Sequence, residues 1–463
     1  MTNNKKKILL TIGRSMIVRN LLQNDFFKLL REKYQLIILT PAARDQRFCL
    51  EFAHPNVSFE WFTEESHGAA DIVWLGLHKY LIWSKFIALK LRYGTRALTK
   101  PEDLSLTRFL LFSLIFRPLS RLVWLRDLAR WSDLYLGQRR PVKRLRELLR
   151  QQAPALVIST SISSNGEAAL IKAAKREGIW SVGMPKSWDN LSRAGFRAKA
   201  DFLVVWNQFM ADQATSLQRY RSDQIKIIGI PQFDNYYTGE FIWSREQFCR
   251  QLNIDPKRKI VLFTSEGKSV PEDADIAWLL AEFIEKGDLP NSVLLIRPHF
   301  SYRRDEEKFT CLQARPKVAL DRVNNPSAGF KDTGDFSLEA MARFANSLYH
   351  AAVVVNVAST ITLDAAAFDR PIVNVAFEPR INVPPQDQAL ALSYESDYFL
   401  EIVKTKGTKV VRSRGEFLSA LQDYLNQPTL DTTGRARLRQ RFVGPFDGNA
   451  GRRFAHLVGE LIK

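Results

Sequence analysis

With 463 residues and an ordinary balance of apolar (46%) and charged (25%) side chains, the chain is too long for one core of usual size and too apolar for extended disorder. Three cysteines, Cys49, Cys249 and Cys311, lie far apart, which excludes a disulfide framework and fits a reducing compartment. The net charge is +18, and residues 81–150 alone carry 16 lysines and arginines against 5 acidic residues, a local +11 that implies an anionic partner.

Lys5-Lys6-Lys7 leads into Ile8–Ile12, a run too short for a signal-peptide core and better read as a first strand. Met16–Tyr34 follows as a helix with Ile17, Leu21, Leu22, Phe26, Leu29 and Leu30 on one face, then Leu36–Leu39 as a strand. Strand, helix and strand in about 35 residues form a βαβ unit, which predicts a parallel sheet. The turn after the first strand holds Gly13, Arg14 and Arg19. A glycine turn feeding a helix N-terminus with two arginines suits an acceptor phosphate such as a polyprenyl diphosphate, with solvent-exposed arginines as the alternative.

From about 72 to 150 the alternation gives way to helical pattern rich in Leu, Phe, Trp and Arg. No uncharged stretch there approaches the ~20 residues of a spanning helix. Large apolar residues flanked by Arg117, Arg121, Trp124, Arg126 and Arg130 suit helices lying in a headgroup layer. The alternative is a buried helix in an enlarged first domain. The expectation is a cytoplasmic protein held peripherally on the inner face of the membrane.

Alternation resumes with strands at Ala155–Ser159, Trp180–Gly183, Phe202–Val205 and Ile225–Ile228. Directly after Trp180–Gly183 comes MPKSWDN, where the C-terminal end of a parallel strand opens on a cleft. Trp188 would stack on a sugar face, Asn190 would help hold the acceptor, and Asp189 would take the proton of an acceptor hydroxyl. An Asx-turn with a packed Trp is the plainer reading.

A second α/β set starts at Lys259–Thr264, whose Thr264-Ser265-Glu266-Gly267-Lys268 turn offers a pyrophosphate cradle or a simple polar turn. Its glycine spacing is not that of a Walker A loop. Val353–Val375 reads VVVNVASTITLDAAAFDRPIVNV: a buried strand, a small hydroxyl turn, a helix and another strand. Ser359 and Thr360 leave room for a phosphate at the helix start, and Asp364 one turn on would accept from ribose hydroxyls. An N-cap with an ordinary helical Asp is the plainer reading.

This stretch resembles the donor-nucleotide half of GT-B glycosyltransferases of bacterial surface polysaccharide synthesis. It is also similar to the glycerophosphotransferases of teichoic-acid synthesis and, more distantly, to UDP-sugar 2-epimerases. Asp364 stands where those families more often carry Glu. LLIRPH at Leu294–His299 is similar to their strand ending in Arg/Lys-x-His, which implies Arg297 and His299 at the donor phosphates, His299 also as a proton carrier. FDGNAGRR at Phe446–Arg453 resembles the start of that group's last helix. The His-Gly pair that glycerophosphotransferases usually carry after the strand at 180–183 is missing here, which favours sugar transfer.

The resemblance implies two Rossmann-like α/β domains facing across a cleft. The first, 1–240, would bind the acceptor and carry the helical basic and apolar insertion of 72–150. The second, 245–440, would bind the nucleotide sugar, and 441–463 would cross back to the first. Neither a cofactor nor a metal is expected, and the acceptor would be polyprenyl-linked or saccharide. Glycerophosphate transfer and UDP-sugar 2-epimerisation remain alternatives of the same fold. A non-enzymatic anionic-surface or nucleic-acid binder remains one of another class, though a Leu/Phe-rich basic segment argues against nucleic acid.

Overall fold

The computed structural model describes residues 5–462 except 64–67, 94–103, 268, 269, 300, 301, 303, 323–328, 331, 333, 336 and 380–392. Lys268 therefore lies outside the described residues.

Short runs of branched apolar residues, buried on both faces, make every central strand, as expected where helices cover both sides of a parallel sheet. The first sheet has seven parallel strands: β1 (Lys7–Thr11), β2 (Gln35–Thr40), β3 (Val57–Trp61), β4 (Leu156–Ser159), β5 (Trp180–Gly183), β6 (Phe202–Val205) and β7 (Ile225–Ile227). They lie in the order β3-β2-β1-β4-β5-β6-β7. The second has six: β8 (Lys259–Thr264), β9 (Ser292–Arg297), β10 (Val318–Leu320), β11 (Ala351–Asn356), β12 (Ile372–Val375) and β13 (Lys409–Val411). Their order, β10-β9-β8-β11-β12-β13, repeats the first. Both sheets thus reverse direction beside their first strand, at β1/β4 and at β8/β11, where open α/β sheets bind ligands.

The helix expected over Met16–Tyr34 is interrupted. A short helix Ser15–Ile17 runs through a wide turn at Val18–Leu22 and stops, and a new helix starts at Asp25. Asn24 causes the break: its side chain accepts from Phe26 N at 3.0 Å and donates to Asn20 O at 2.6 Å. The strands β3, β10 and β13, half exposed at or near the sheet edges, were not evident from hydrophobic periodicity.

The insertion consists of helices Ala69–Tyr80, Lys85–Tyr93, Leu104–Leu119, Val123–Leu136 and Arg139–Gln152. A buried polar knot ties it to the first sheet. Asp133, fully buried, accepts from Lys172 Nζ and from Arg197 Nε and Nη2, each at 2.8 Å, and pairs with His78 Nε2 at 3.0 Å. Burial alone would raise the Asp133 carboxyl, but hydrogen bonds from Arg197 and His78 and the Lys172 charge hold it well below the usual carboxylate range.

Two of the expected membrane-facing arginines belong to this scaffold instead. Arg126 donates to the carbonyls of Leu81, Ser120, Ser216 and Leu217, and Arg130 donates to Phe196 O and Gln218 Oε1. Both are 8% exposed, because their helix turns that face inward. Arg117, Arg121 and Trp124 do face solvent. Among the described residues no single helix is long and apolar enough to cross a membrane.

The last helix, Ala450–Leu461, packs on the first domain. Phe454 stacks on Phe26 at 4.3 Å, and Asp234 accepts from Ala450 N and Gly451 N at 2.9 and 2.7 Å. Gly451 is required there, since a Cβ would stand 2.9 Å from Phe26 N.

Candidate functional site

At the second sheet's crossover the turn after β11 is held from below. Asn356, fully buried, accepts at Oδ1 from Asn374 Nδ2 (2.8 Å), Thr362 Oγ1 (3.3 Å) and Ser359 N (3.4 Å). Tyr394 accepts from Ala358 N and donates to Val375 O, both at 2.9 Å. Ala358 takes φ +41, a left-handed conformation costly for a residue with a Cβ and sustained only because its surroundings fix it. Ser359 and exposed Thr360 follow, then helix Ile361–Ala367.

Asp364 on that helix is buried and accepts from Tyr236 Oη at 2.9 Å. Burial pushes its carboxyl up to about 6, against the opposing pull of the Arg19 charge and the Tyr236 hydrogen bond. Arg19 comes from the first domain. Its guanidinium lies 5.3 Å from the centre of the Phe344 ring, and Arg297, at the end of β9, lies 4.8 Å from the same ring. Arg297 is ion-paired to Asp321, which also holds Arg343. Arg19 Nε, by contrast, is buried with no hydrogen-bond partner among the described residues. Arg19, expected with the acceptor, thus stands beside the donor candidates, because its wide turn carries the side chain across the cleft.

The turn after β8 departs from expectation. Its amides are already engaged: Ser265 N donates to Arg297 O (3.0 Å), Glu266 N to Asp273 Oδ2 (2.7 Å) and Gly267 N to Ser265 Oγ (3.0 Å). Lys308 closes the knot through Asp273, Asp305 and Ser265 Oγ at 2.8, 2.7 and 3.1 Å. Ser265 and Gly267 are therefore framework and not an open phosphate cradle, while Thr264 Oγ1 is buried without a hydrogen-bond partner among the described residues. Thr264 and Ser265 are buried, and Gly267 (φ +66) has Tyr302 ring carbon where a Cβ would sit.

The residue this knot presents is Glu266. It is hydrogen-bonded with Ser359 and within electrostatic reach of Asp189 and Arg193 from the first domain. Burial pushes its carboxyl up to about 8; Asp273 and Asp189 act in the same sense, and Ser359 and Arg193 oppose them. His299 donates its backbone N–H to Asp305 at 2.6 Å and packs on Tyr302 at 4.7 Å. Burial lowers its imidazole to about 4, with Asp305 opposing, so it is neutral near pH 7 and can give or take a hydrogen bond without a charge.

Across the cleft, Asp189 is 6% exposed, ion-paired to Arg193, and accepts from Asn190 Nδ2 at 3.0 Å. Trp188 is not a sugar platform. It is 1% exposed and packed edge-on against Tyr398 and Phe442 at 5.1 and 6.0 Å, because the indole seals the contact between the domains. Asn190 is likewise buried, its Oδ1 3.5 Å from Ser163 Oγ.

At the β1/β4 crossover, Gly13 and Arg14 line a 290 Å³ cavity with Ser161, Ser164 and Glu167. Glu167 Oε2 accepts from Thr11 Oγ1 (2.8 Å), Ser159 Oγ (2.7 Å) and Ser161 N (2.7 Å). Sequence reasoning missed Glu167, although Ser164 three residues earlier is the signature of a capping box. Tyr236, Glu266 and Phe344 carried no local signal, since their roles come from the facing domain. Ser15 ties the domains here, donating to Asp332 through N (3.0 Å) and Oγ (2.9 Å). Among the described residues no cluster of three His, Cys, Asp or Glu side chains is placed to hold a metal ion.

The fold is shared with solved structures at low identity. The UDP-GlcNAc 2-epimerase of Methanocaldococcus jannaschii matches with TM-score 0.54 and 11% identity, over 98% of this chain and 99% of its own. A glycosyltransferase from Rickettsia africae matches with TM-score 0.51 and 11% identity, over 99% of both chains. The wall teichoic acid polymerase TagF matches with TM-score 0.51 and 10% identity, over 99% of this chain and 90% of its own. No curated protein matches by sequence. These likenesses establish two facing Rossmann-like domains of GT-B type. The family model for CDP-glycerol:poly(glycerophosphate) glycerophosphotransferase matches residues 185–460, well over half of the chain. The protein belongs to that glycerophosphotransferase family, enzymes of glycosyltransferase type in cell-wall polymer synthesis.

Proposed function

We propose that the cleft moves a nucleotide-activated sugar or glycerophosphoryl group onto a surface-polymer acceptor, without a metal. The observation that carries this reading is the pair Arg19 and Arg297 over Phe344, beside Asp364, with Arg19 Nε lacking a hydrogen-bond partner among the described residues. Two guanidiniums from opposite domains suit the diphosphate of the donor, and closing around it stabilises the charge that develops on the leaving nucleotide. Asp364 would meet the ribose, Ser359 and Thr360 the phosphate side, and neutral His299 would donate to a phosphoryl oxygen. Asp189, buried and held by Arg193, is the base for the acceptor hydroxyl.

The M. jannaschii epimerase has been solved with UDP-GlcNAc and UDP, and TagF after a CDPG soak, which supports a nucleotide-linked ligand here. Family membership favours a CDP-linked glycerol donor. The missing His-Gly pair after β5 favours a sugar. A thermal-shift panel of UDP-, GDP-, CDP- and CMP-linked donors separates them, because a ligand that binds only the folded state raises its stability. Failure of every donor to raise the melting temperature overturns the reading.

The insertion fits a peripheral place on the inner face of the cytoplasmic membrane. Leu110, Leu114, Trp124 and Trp131 are 57%, 77%, 58% and 63% exposed, with Arg117 and Arg121 alongside. An exposed apolar face rimmed by cations is the pattern of a helix resting among anionic headgroups.

A further inference from the structure

The structure assigns to the first domain an extended groove for a neutral saccharide acceptor, walled by Trp61 and running from the β1/β4 crossover out between β3 and helix Arg139–Gln152. The assignment rests on the transfer reading above, and it names the acceptor class.

Two cavities, of 290 and 270 Å³, share the wall Trp61, Phe62 and Thr63. The inner one is lined by Gly13 and Arg14 at the cleft, with Gly329 and Phe330 of the second domain at its edge. The outer one leads away from the cleft past Gln138, Glu147 and Gln151. Cavities that meet at one wall in this way suit a chain whose end reacts at the cleft while earlier units lie outward.

The chemistry of the walls selects the chain. Trp61 ends β3, is 41% exposed and is fixed by the Arg44 and Arg144 guanidiniums, 4.9 and 6.0 Å from its ring. The outer cavity is lined by the carboxylates Glu60, Asp71 and Glu147 and by Arg144, with Arg44 over the Trp61 ring and Arg197 paired to Asp71 beside it. In a protein of net charge +18, a groove whose carboxylates match its cations offers a polyanion no attractive field. Two of these carboxylates are already oriented by neighbours: Glu60 accepts from Gln152 Nε2 at 3.2 Å and Asp71 from Arg197 at 3.0 Å. Carboxylates and amides around an aromatic wall match hydroxyl-rich, uncharged rings, and without an excess of cations they give a glycerol-phosphate chain no counter-charge for its repeats.

The test uses the full-length chain on a microarray carrying neutral bacterial oligosaccharides beside a glycerol-phosphate oligomer, at physiological salt. At least one neutral oligosaccharide should be retained and the glycerol-phosphate oligomer should not. Trp61→Ala should cut that retention by roughly ten-fold or more, and Trp61→Tyr should restore part of it. Gln151→Leu, on a different element, should weaken retention too and decides the matter if Trp61→Ala does not fold. Retention of the glycerol-phosphate oligomer, no retained neutral oligosaccharide, or equal retention by folded variants would overturn the assignment. Nucleotide-induced thermal shift of the same proteins reports on the donor site separately: loss of glycan retention with the shift intact condemns the groove alone. Retained glycan with no shift condemns the donor reading alone.

Discussion

Arg19 of the first domain and Arg297 of the second lie over one ring, Phe344, with guanidinium carbons 5.3 and 4.8 Å from its centre. Cations from the two domains share an aromatic partner in the cleft; Arg297 is ion-paired to Asp321, and the Arg19 charge acts on Asp364. Each cation disfavours the other, and a diphosphate between them would be held by both.

Arg19→Gln should therefore weaken donor binding while leaving the fold intact. A charge-assisted hydrogen bond is worth about 1.5–3 kcal/mol, so the dissociation constant should rise roughly ten- to a hundred-fold. Calorimetry with the donor found by thermal shift measures it. Unchanged affinity would remove Arg19 from the donor site.

Asp189→Asn should lower turnover by about 10²–10⁴-fold, the range of general-base loss, with donor affinity nearly unchanged. Steady-state and calorimetric measurements on the same variant separate the two. A joint fall in affinity and turnover would mean that the Asp189–Arg193 pair shapes the cleft without moving a proton.

Glu266 makes a pH signature. Its folded carboxyl is raised to about 8 by burial, so between the ordinary carboxylate range and pH 8 the unfolded chain releases a proton that the folded one keeps. Stability attributable to this group is thus present at low pH and is lost as pH rises through that window. His299, lowered to about 4 by burial, acts oppositely, adding stability as pH rises from about 4 to 6.5. Glu266→Gln should flatten the decline above pH 6.5, where His299 no longer contributes. Chemical denaturation at pH 6.5 and pH 8 reads it; parallel curves for wild type and variant would refute the buried, protonated Glu266.

The insertion gives two distinguishable outcomes. Replacing exposed Arg117 and Arg121 by Gln should reduce co-sedimentation with anionic vesicles by about 2 kcal/mol, roughly thirty-fold, with no change in melting temperature. Arg126→Gln should instead destabilise the fold by about 2–4 kcal/mol, since four carbonyls lose their donor. Vesicle binding that ignores the exposed pair would leave this face without a membrane role.

The sequence by itself determined the two α/β units, the helical basic insertion between β3 and β4, and the strand–turn–helix of Val353–Val375. These are legible because buried parallel strands are short apolar runs and helices carry their own period. It did not separate Arg117 and Arg121, which face solvent, from Arg126 and Arg130, which hold backbone carbonyls, because all four sit in the same Leu/Arg-rich pattern. Nor did it reveal that Trp188 seals an interface or that the Ser265, Glu266 and Gly267 amides are already spent on Arg297, Asp273 and Ser265. The meeting of Arg19 and Arg297 over Phe344, the hydrogen bond from Tyr236 to Asp364 and the electrostatic reach of Asp189 to Glu266 were decided only in the tertiary structure. Local periodicity reports which side of an element is buried, whereas a cleft is made by residues hundreds apart that meet when two sheets are set face to face.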